Sequence, residues 1–261
     1  MSKVHNFNAG PAVLPQAVLA QAQAELLDYQ GRGMSILEMS HRSKEYEAVN
    51  TQAESRLKAL LGLGEGYRVL FLQGGASFQF AMIPLNFLPA GAVADYIVTG
   101  AWGEKALEEA RKVGEAHVAA STAEGGFRSL PSAIQLSANP AYVHLTTNET
   151  IQGVQWAELP DVGGAPLIAD MSSDILSRPI DASRFALIYA GAQKNIGPAG
   201  ATAVIIREDL IAQGRKDLPA IMRYTTFAKN NSLYNTPPGF AVYLVNLVLG
   251  WIADLGGLAA M

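Results

Sequence analysis

Lys194 follows an apolar run, Ala186-Leu-Ile-Tyr-Ala190, through Gly191-Ala192-Gln193, and small residues surround it again in Gly197-Pro-Ala-Gly200. A lysine just past a buried strand is not an ordinary solvated lysine. Removed from water, its ammonium gives up a proton more readily, and the free amine can form an imine with an aldehyde. Its bland alternative is a structural ion pair. Asp170 ends a second apolar run, Pro166-Leu-Ile-Ala-Asp170, and precedes Met171-Ser-Ser173. In open α/β sheets the ligand crevice lies outside the carboxyl ends of the strands, which is where this carboxylate is expected. The alternative for Asp170 is a turn cap. One strand and its connection separate the two residues, so adjacent strand tips can present them together. A pyridoxal cofactor needs this pair: an amine for its aldehyde carbon, and a carboxylate that keeps the ring nitrogen protonated so that the ring draws electrons.

The phosphate end of such a cofactor needs a cup of backbone donors. Gln73-Gly-Gly-Ala-Ser-Phe-Gln79 follows the apolar run Arg68–Leu72 and opens a helical pattern. Its two glycines let a ligand approach the backbone, and the free N–H groups of a helix start attract an anion. Neither G-x-G-x-x-G nor G-x-x-x-x-G-K-[ST] occurs, which disfavours a dinucleotide or nucleoside-triphosphate enzyme. Trp102 follows Thr99-Gly100-Ala101 and could stack on a flat ring, or simply fill a core.

These residues need a scaffold that lines up strand tips. Short apolar runs alternate with amphipathic helical patterns, the mark of an α/β sheet with crossover helices. The expected strands are Arg68–Gln73, Ala94–Thr99, Ala141–Leu145, Pro166–Asp170, Phe185–Ala190 and Ala201–Arg207. Most are uniformly apolar, as in a mostly parallel sheet covered on both faces. Helical patterns cover Tyr46–Leu61, Gln79–Leu88 and Gly103–Val113. Residues 1–15 read as an irregular N-terminal segment, and Phe227–Pro238 as a long loop. The apolar stretch Phe240–Ala253, interrupted by Asn246, is short for a membrane span and reads as a buried helix.

The chain has 261 residues, nearly half of them hydrophobic, and a net charge of −4. That balance supports a sizeable core and argues against nucleic acid or an anionic membrane as partner. Cysteine is absent, so thiolate metal sites and cysteine nucleophiles are excluded, and no metal ligand set is assigned. The N-terminus carries no apolar signal, and a cytoplasmic location is expected.

Taken in order, Asn8-Ala-Gly-Pro11, Met39-Ser-His-Arg42, Gln73-Gly-Gly-Ala-Ser77, Gly100-Ala-Trp102, Asn148-Glu-Thr150, Asp170-Met-Ser-Ser-Asp-Ile-Leu-Ser-Arg-Pro179, Tyr189-Ala-Gly-Ala-Gln-Lys-Asn-Ile-Gly-Pro198 and Asn235-Thr-Pro-Pro238 resemble the phosphoserine aminotransferase family. These are class-V pyridoxal-phosphate enzymes with the aspartate-aminotransferase-like fold. The Asp170–Pro179 and Tyr189–Pro198 blocks are its most specific parts. The resemblance implies a three-layer α/β/α large domain over residues 16–261. It implies that Lys194 bonds pyridoxal 5′-phosphate and shuttles the substrate proton, and that Asp170 pairs with the ring nitrogen. Trp102 would stack on the ring, Ala76, Ser77 and Gln193 would hold the phosphate, and Thr150 would hydrogen-bond the cofactor. Asn235 and Thr236 would reach the phosphate in a neighbouring subunit, making a homodimer with shared sites. Arg42, with His41 beside it, would bind the anionic substrate, since a guanidinium fork suits carboxylate and phosphate.

The implied reaction moves the amino group of glutamate to 3-phosphohydroxypyruvate, giving phosphoserine and 2-oxoglutarate. It is a step of serine biosynthesis, with a related one in pyridoxine biosynthesis. The family carries a smaller C-terminal domain, on the order of a hundred residues, which this sequence is expected to lack, along with that domain's arginine for the α-carboxylate. A chain that binds cofactor but turns over weakly or not at all is therefore one expectation. A same-fold enzyme for another amino acid, such as an alanine–glyoxylate aminotransferase, is an alternative that the Ser-His-Arg and Asn-Thr-Pro-Pro blocks argue against.

Overall fold

The computed structural model describes residues 4–261. Helices α1 (Gln16–Ala24) and α2 (Lys44–Leu60) precede β1 (Tyr67–Leu72) and α3 (Gly75–Phe87). Then come β2 (Val93–Val98), α4 (Ala101–Val113), β3 (Glu115–Ser121) and β4 (Val143–Thr146). A small hairpin, β5 (Asn148–Glu149) and β6 (Val154–Gln155), leads to β7 (Leu167–Asp170), β8 (Leu187–Gly191) and the single turn α5 (Ala192–Asn195). The chain ends with β9 (Thr202–Arg207), α6 (Glu208–Gln213), α7 (Tyr224–Lys229) and α8 (Gly239–Asp254).

Seven strands form one sheet in the order β1-β9-β8-β7-β4-β2-β3. Only β9 runs antiparallel to its neighbours β1 and β8; the remaining pairs are parallel. The sheet is mostly parallel, as the uniformly apolar strands predict, because helices cover both faces. Side chains alternate between those faces. Leu167, Ala169, Ile188 and Ala190 pack with α2 and α8, whereas Ile168, Leu187 and Tyr189 pack with α3, α4, α6 and α7. The alternation turns Asp170, next after Ala169, toward the α3/α4 side.

The apolar run Phe240–Ala253 is indeed a buried helix, α8, packed on α2. Asn246, which interrupts it, is held by Arg56, whose Nη1 donates to the Asn246 carbonyl at 2.9 Å and to its Oδ1 at 2.7 Å. A buried polar side chain needs such partners. Among the described residues, no helix is long and apolar enough to cross a membrane.

Three expectations need correction. Phe227–Pro238 is not all loop, because Phe227, Ala228 and Lys229 belong to α7, whose Tyr224 and Phe227 are buried against α3 and β1. Strand β3 and helix α1 were not anticipated. β3 is an edge strand with mostly half-exposed residues, and α1 buries only Val18 and Ala22, so neither shows a full apolar period. Helix α3 begins at Gly75, not Gln79, which puts Ala76 and Ser77 in its first turn.

Candidate active site

Asp170 stands at the tip of β7 and is 2% exposed. Its register partner on the adjacent parallel strand is Tyr189 of β8, and β8 runs directly into α5, which carries Lys194. The two chemistry-bearing side chains thus leave neighbouring strand tips. The Ser172 N–H donates to Asp170 Oδ1 at 2.8 Å. Burial nevertheless raises the Asp170 pKa, against the pull of that bond and of the Lys194 charge. Burial also lowers the pKa of half-buried Lys194, with Asp170 and Glu149 opposing the shift. Each group is therefore displaced toward its neutral form, as desolvation requires.

Lys194 is tightly surrounded. Its Nζ donates to Thr150 Oγ1 at 2.5 Å and lies 4.9 Å from the centroid of the Trp102 indole. The irregular N-terminal segment closes over its stem: a Cβ on Gly10 would come within 2.8 Å of Lys194 Cγ. The Ala12 N–H anchors that segment to the Gln193 carbonyl at 2.8 Å. Beneath the site, His144 Nε2 meets the Tyr189 hydroxyl at 2.8 Å, and complete burial holds this imidazole neutral, its pKa lowered to about 3.

Ala76 and Ser77 lie in the first turn of α3, after Gly74, whose φ of 89° favours glycine. The N–H groups of Gly75, Ala76 and Ser77 have no hydrogen-bond partner among the described residues. Orphan donors at a helix start form an anion-binding cup. Asn235 and Thr236 sit beside this turn in the same chain. Gln73 Nε2 donates to the Thr236 carbonyl at 3.1 Å, and Asn235 Nδ2 donates to Gln73 Oε1 at 3.1 Å. Gln193 folds back over Gly191, where a Cβ would meet its Oε1 at 2.8 Å.

His41 lines a hollow of about 580 Å³ with Met39, Tyr46, Gly200 and Thr236, and its buried Nε2 has no partner among the described residues. No hydrogen bond or ion pair among the described residues joins Arg42 to Lys194 or Asp170; its N–H donates to Ser40 Oγ at 3.2 Å.

Sequence reasoning gave no role to Glu149, which is fully buried. Its Oε2 accepts from the Trp102 N–H at 3.0 Å and its Oε1 from the Gly103 N–H at 2.9 Å. The available signal was an acid immediately before Thr150 in a turn-rich stretch; its partners lie far away in sequence.

The pattern of the family Aminotransferase class-V matches residues 4–261. The chain belongs to this family. Within it, the chain is 62% identical over 260 residues to a phosphoserine aminotransferase of Herpetosiphon aurantiacus, covering 99% of this chain and 72% of that protein. It is 60% identical to the enzyme of the same name from Niallia circulans, with 99% and 72% covered. The solved phosphoserine aminotransferase of Bacillus circulans subsp. alkalophilus superposes with a TM-score of 0.95 at 60% identity, covering 98% of this chain and 71% of that one. The PLP-bound phosphoserine aminotransferase of Trichomonas vaginalis superposes with a TM-score of 0.93 at 41% identity, covering 99% and 73%. An alanine–glyoxylate aminotransferase from Nostoc, at 19% identity and a TM-score of 0.73, shares the fold. The class-V chain is thus an aminotransferase with the fold expected of it.

Proposed function

We propose that this chain transfers the amino group of L-glutamate to 3-phosphohydroxypyruvate, giving O-phospho-L-serine and 2-oxoglutarate, with pyridoxal 5′-phosphate as its cofactor. The observation that carries the proposal is the arrangement of Lys194 and Asp170 on adjacent strand tips, with the donor row of α3 at the same end of the sheet. The donor set fits the cofactor: an amine of lowered pKa for an aldehyde, a buried acid for a ring nitrogen, and unpartnered N–H groups for a phosphate. When bound, the cofactor supplies an electron sink for the charge that develops on the substrate α-carbon.

The chain's own residues do the rest. Lys194 Nζ takes the α-proton and returns it, and Thr150 orients that amine. Asp170 holds a proton on the ring nitrogen; its buried site favours sharing that proton over releasing it to water. Trp102 gives the ring a flat wall, and Ala76, Ser77 and Gln193 hold the phosphate. One lysine serves both half-reactions, because the second keto acid reverses the steps of the first. Arg42 and His41 are proposed to bind the anionic substrate, and Asn235 and Thr236 to reach the cofactor phosphate of a partner in a homodimer.

The test is spectral. The purified protein with added pyridoxal 5′-phosphate should develop a visible chromophore that shifts on adding glutamate, and Lys194→Ala should abolish both. No chromophore in the wild type would refute the cofactor assignment. A chromophore unmoved by glutamate would point instead to a cofactor-holding chain without turnover.

A further inference from the structure

We infer that Glu149 is a positioning residue, a buried carboxylate that fixes the Trp102 wall and the Thr150 hydroxyl relative to one another; this rests on the reading of the site given above. The carboxylate is bidentate to the first turn of α4, taking the N–H groups of Trp102 and Gly103 on its two oxygens at 3.0 and 2.9 Å. The neighbouring Gln152 Oε1 accepts from the Ala101 N–H at 3.4 Å. The residue between them, Thr150, is the one that accepts from Lys194 Nζ. One short segment, residues 149–152, therefore grips the helix that carries the indole and the lysine that faces it.

The backbone is shaped for this grip. A Cβ on Gly100 would fall 2.5 Å from Glu149 Cδ, and one on Gly103 would fall 3.2 Å from Glu149 Oε1. Two side-chain-free positions leave the space that the carboxylate fills. Its geometry is set by two donors in one helical turn, so the first turn of α4 cannot rotate without breaking a charge-assisted bond. The indole orientation follows from that turn. A carboxylate spent in this way cannot act on the substrate, so its effect is transmitted through Trp102 and Thr150.

Glu149→Gln tests this with almost no change in volume. Its amide can accept one N–H but turns a donor toward the other, which breaks the bidentate grip. The folded variant should bind pyridoxal 5′-phosphate roughly tenfold more weakly, because the indole wall and the Thr150 hydroxyl are no longer pre-organised for it. The circular dichroism of the bound chromophore at saturation should also weaken, because the ring wall has turned. A purely structural role would lower the melting temperature but leave the affinity and dichroism of the folded protein unchanged. Should Glu149→Gln not fold, Gly103→Ala, which presses on Oε1 alone, should show a smaller loss in the same direction. Wild type that fails to bind the cofactor removes the reading of the site and this inference with it. Wild type that binds, beside variants of equal affinity and equal dichroism, overturns the inference alone.

Discussion

Helices α3 and α4 begin alike and are used in opposite ways. Each follows a strand of the main sheet through a short glycine turn, Gln73-Gly-Gly75 for α3 and Thr99-Gly100 for α4. In α3 the first three N–H groups meet nothing within the described chain. In α4 the corresponding three are taken by Gln152 and Glu149. Both helix starts attract negative charge through the same aligned peptide dipoles. The chain supplies its own anion to one and withholds it from the other, so of these two starts that of α3 is the one open to a guest anion. The selectivity lies in a single buried carboxylate more than in the glycines, which both turns share.

The comparison can be broken most forcefully at Gly100. Gly100→Ala puts a methyl group 2.5 Å from Glu149 Cδ and 2.7 Å from Gln152 Oε1, so the carboxylate must leave its donors. Overpacking together with lost buried bonds should cost about 3 kcal/mol of stability. Thermal unfolding should then show the midpoint falling by roughly 5–10 °C; an unchanged midpoint would mean that the grip contributes little.

Ser77→Asp tests the open helix in the other direction, by giving α3 the internal anion it lacks. The free protein should gain about 0.3–1 kcal/mol from an acid in the first turn, while affinity for pyridoxal 5′-phosphate drops by about tenfold or more. Unphosphorylated pyridoxal should be affected much less. Equal losses for the two compounds would place the phosphate elsewhere.

The smallest effect concerns the stability contribution of Asp170. Its folded pKa is raised above 3.8 by burial, so the ionised form destabilises the cofactor-free fold. Below the unfolded value both states are protonated and nothing is lost; the cost appears as pH rises through the folded value. Cofactor-free Asp170→Asn should therefore melt slightly above wild type at pH 7, with the gap closing as pH falls toward 3.8. A gap that widens on acidification would contradict the sign.

What sequence made legible follows from how local each signal is. Lys194 and Asp170 could be placed because β7 and β8 are continuous apolar runs that end at or just before them, and a parallel sheet brings such tips together. β3 escaped because Glu115–Ser121 lies at the sheet edge with little buried surface. The start of helix α3 is silent in the sequence because its first turn has no capping side chain to announce it. The role of Glu149 was illegible for a different reason: its bonds to Trp102 and Gly103 are contacts between segments distant in sequence. His41 and Arg42 are expected beside the substrate; within this chain His41 borders a hollow that it shares with Thr236. A motif's residue types are visible in sequence; which wall they face is a property of assembled layers.

The contact between Gly10 and the stem of Lys194 links positions separated by more than two thirds of the chain. During synthesis the N-terminal strap emerges first and must wait for almost the whole sheet before it has anything to cover. Joining such distant points carries a loop-closure cost that only the finished sheet can offset. The stem of Lys194 should thus acquire its cover among the last events of folding.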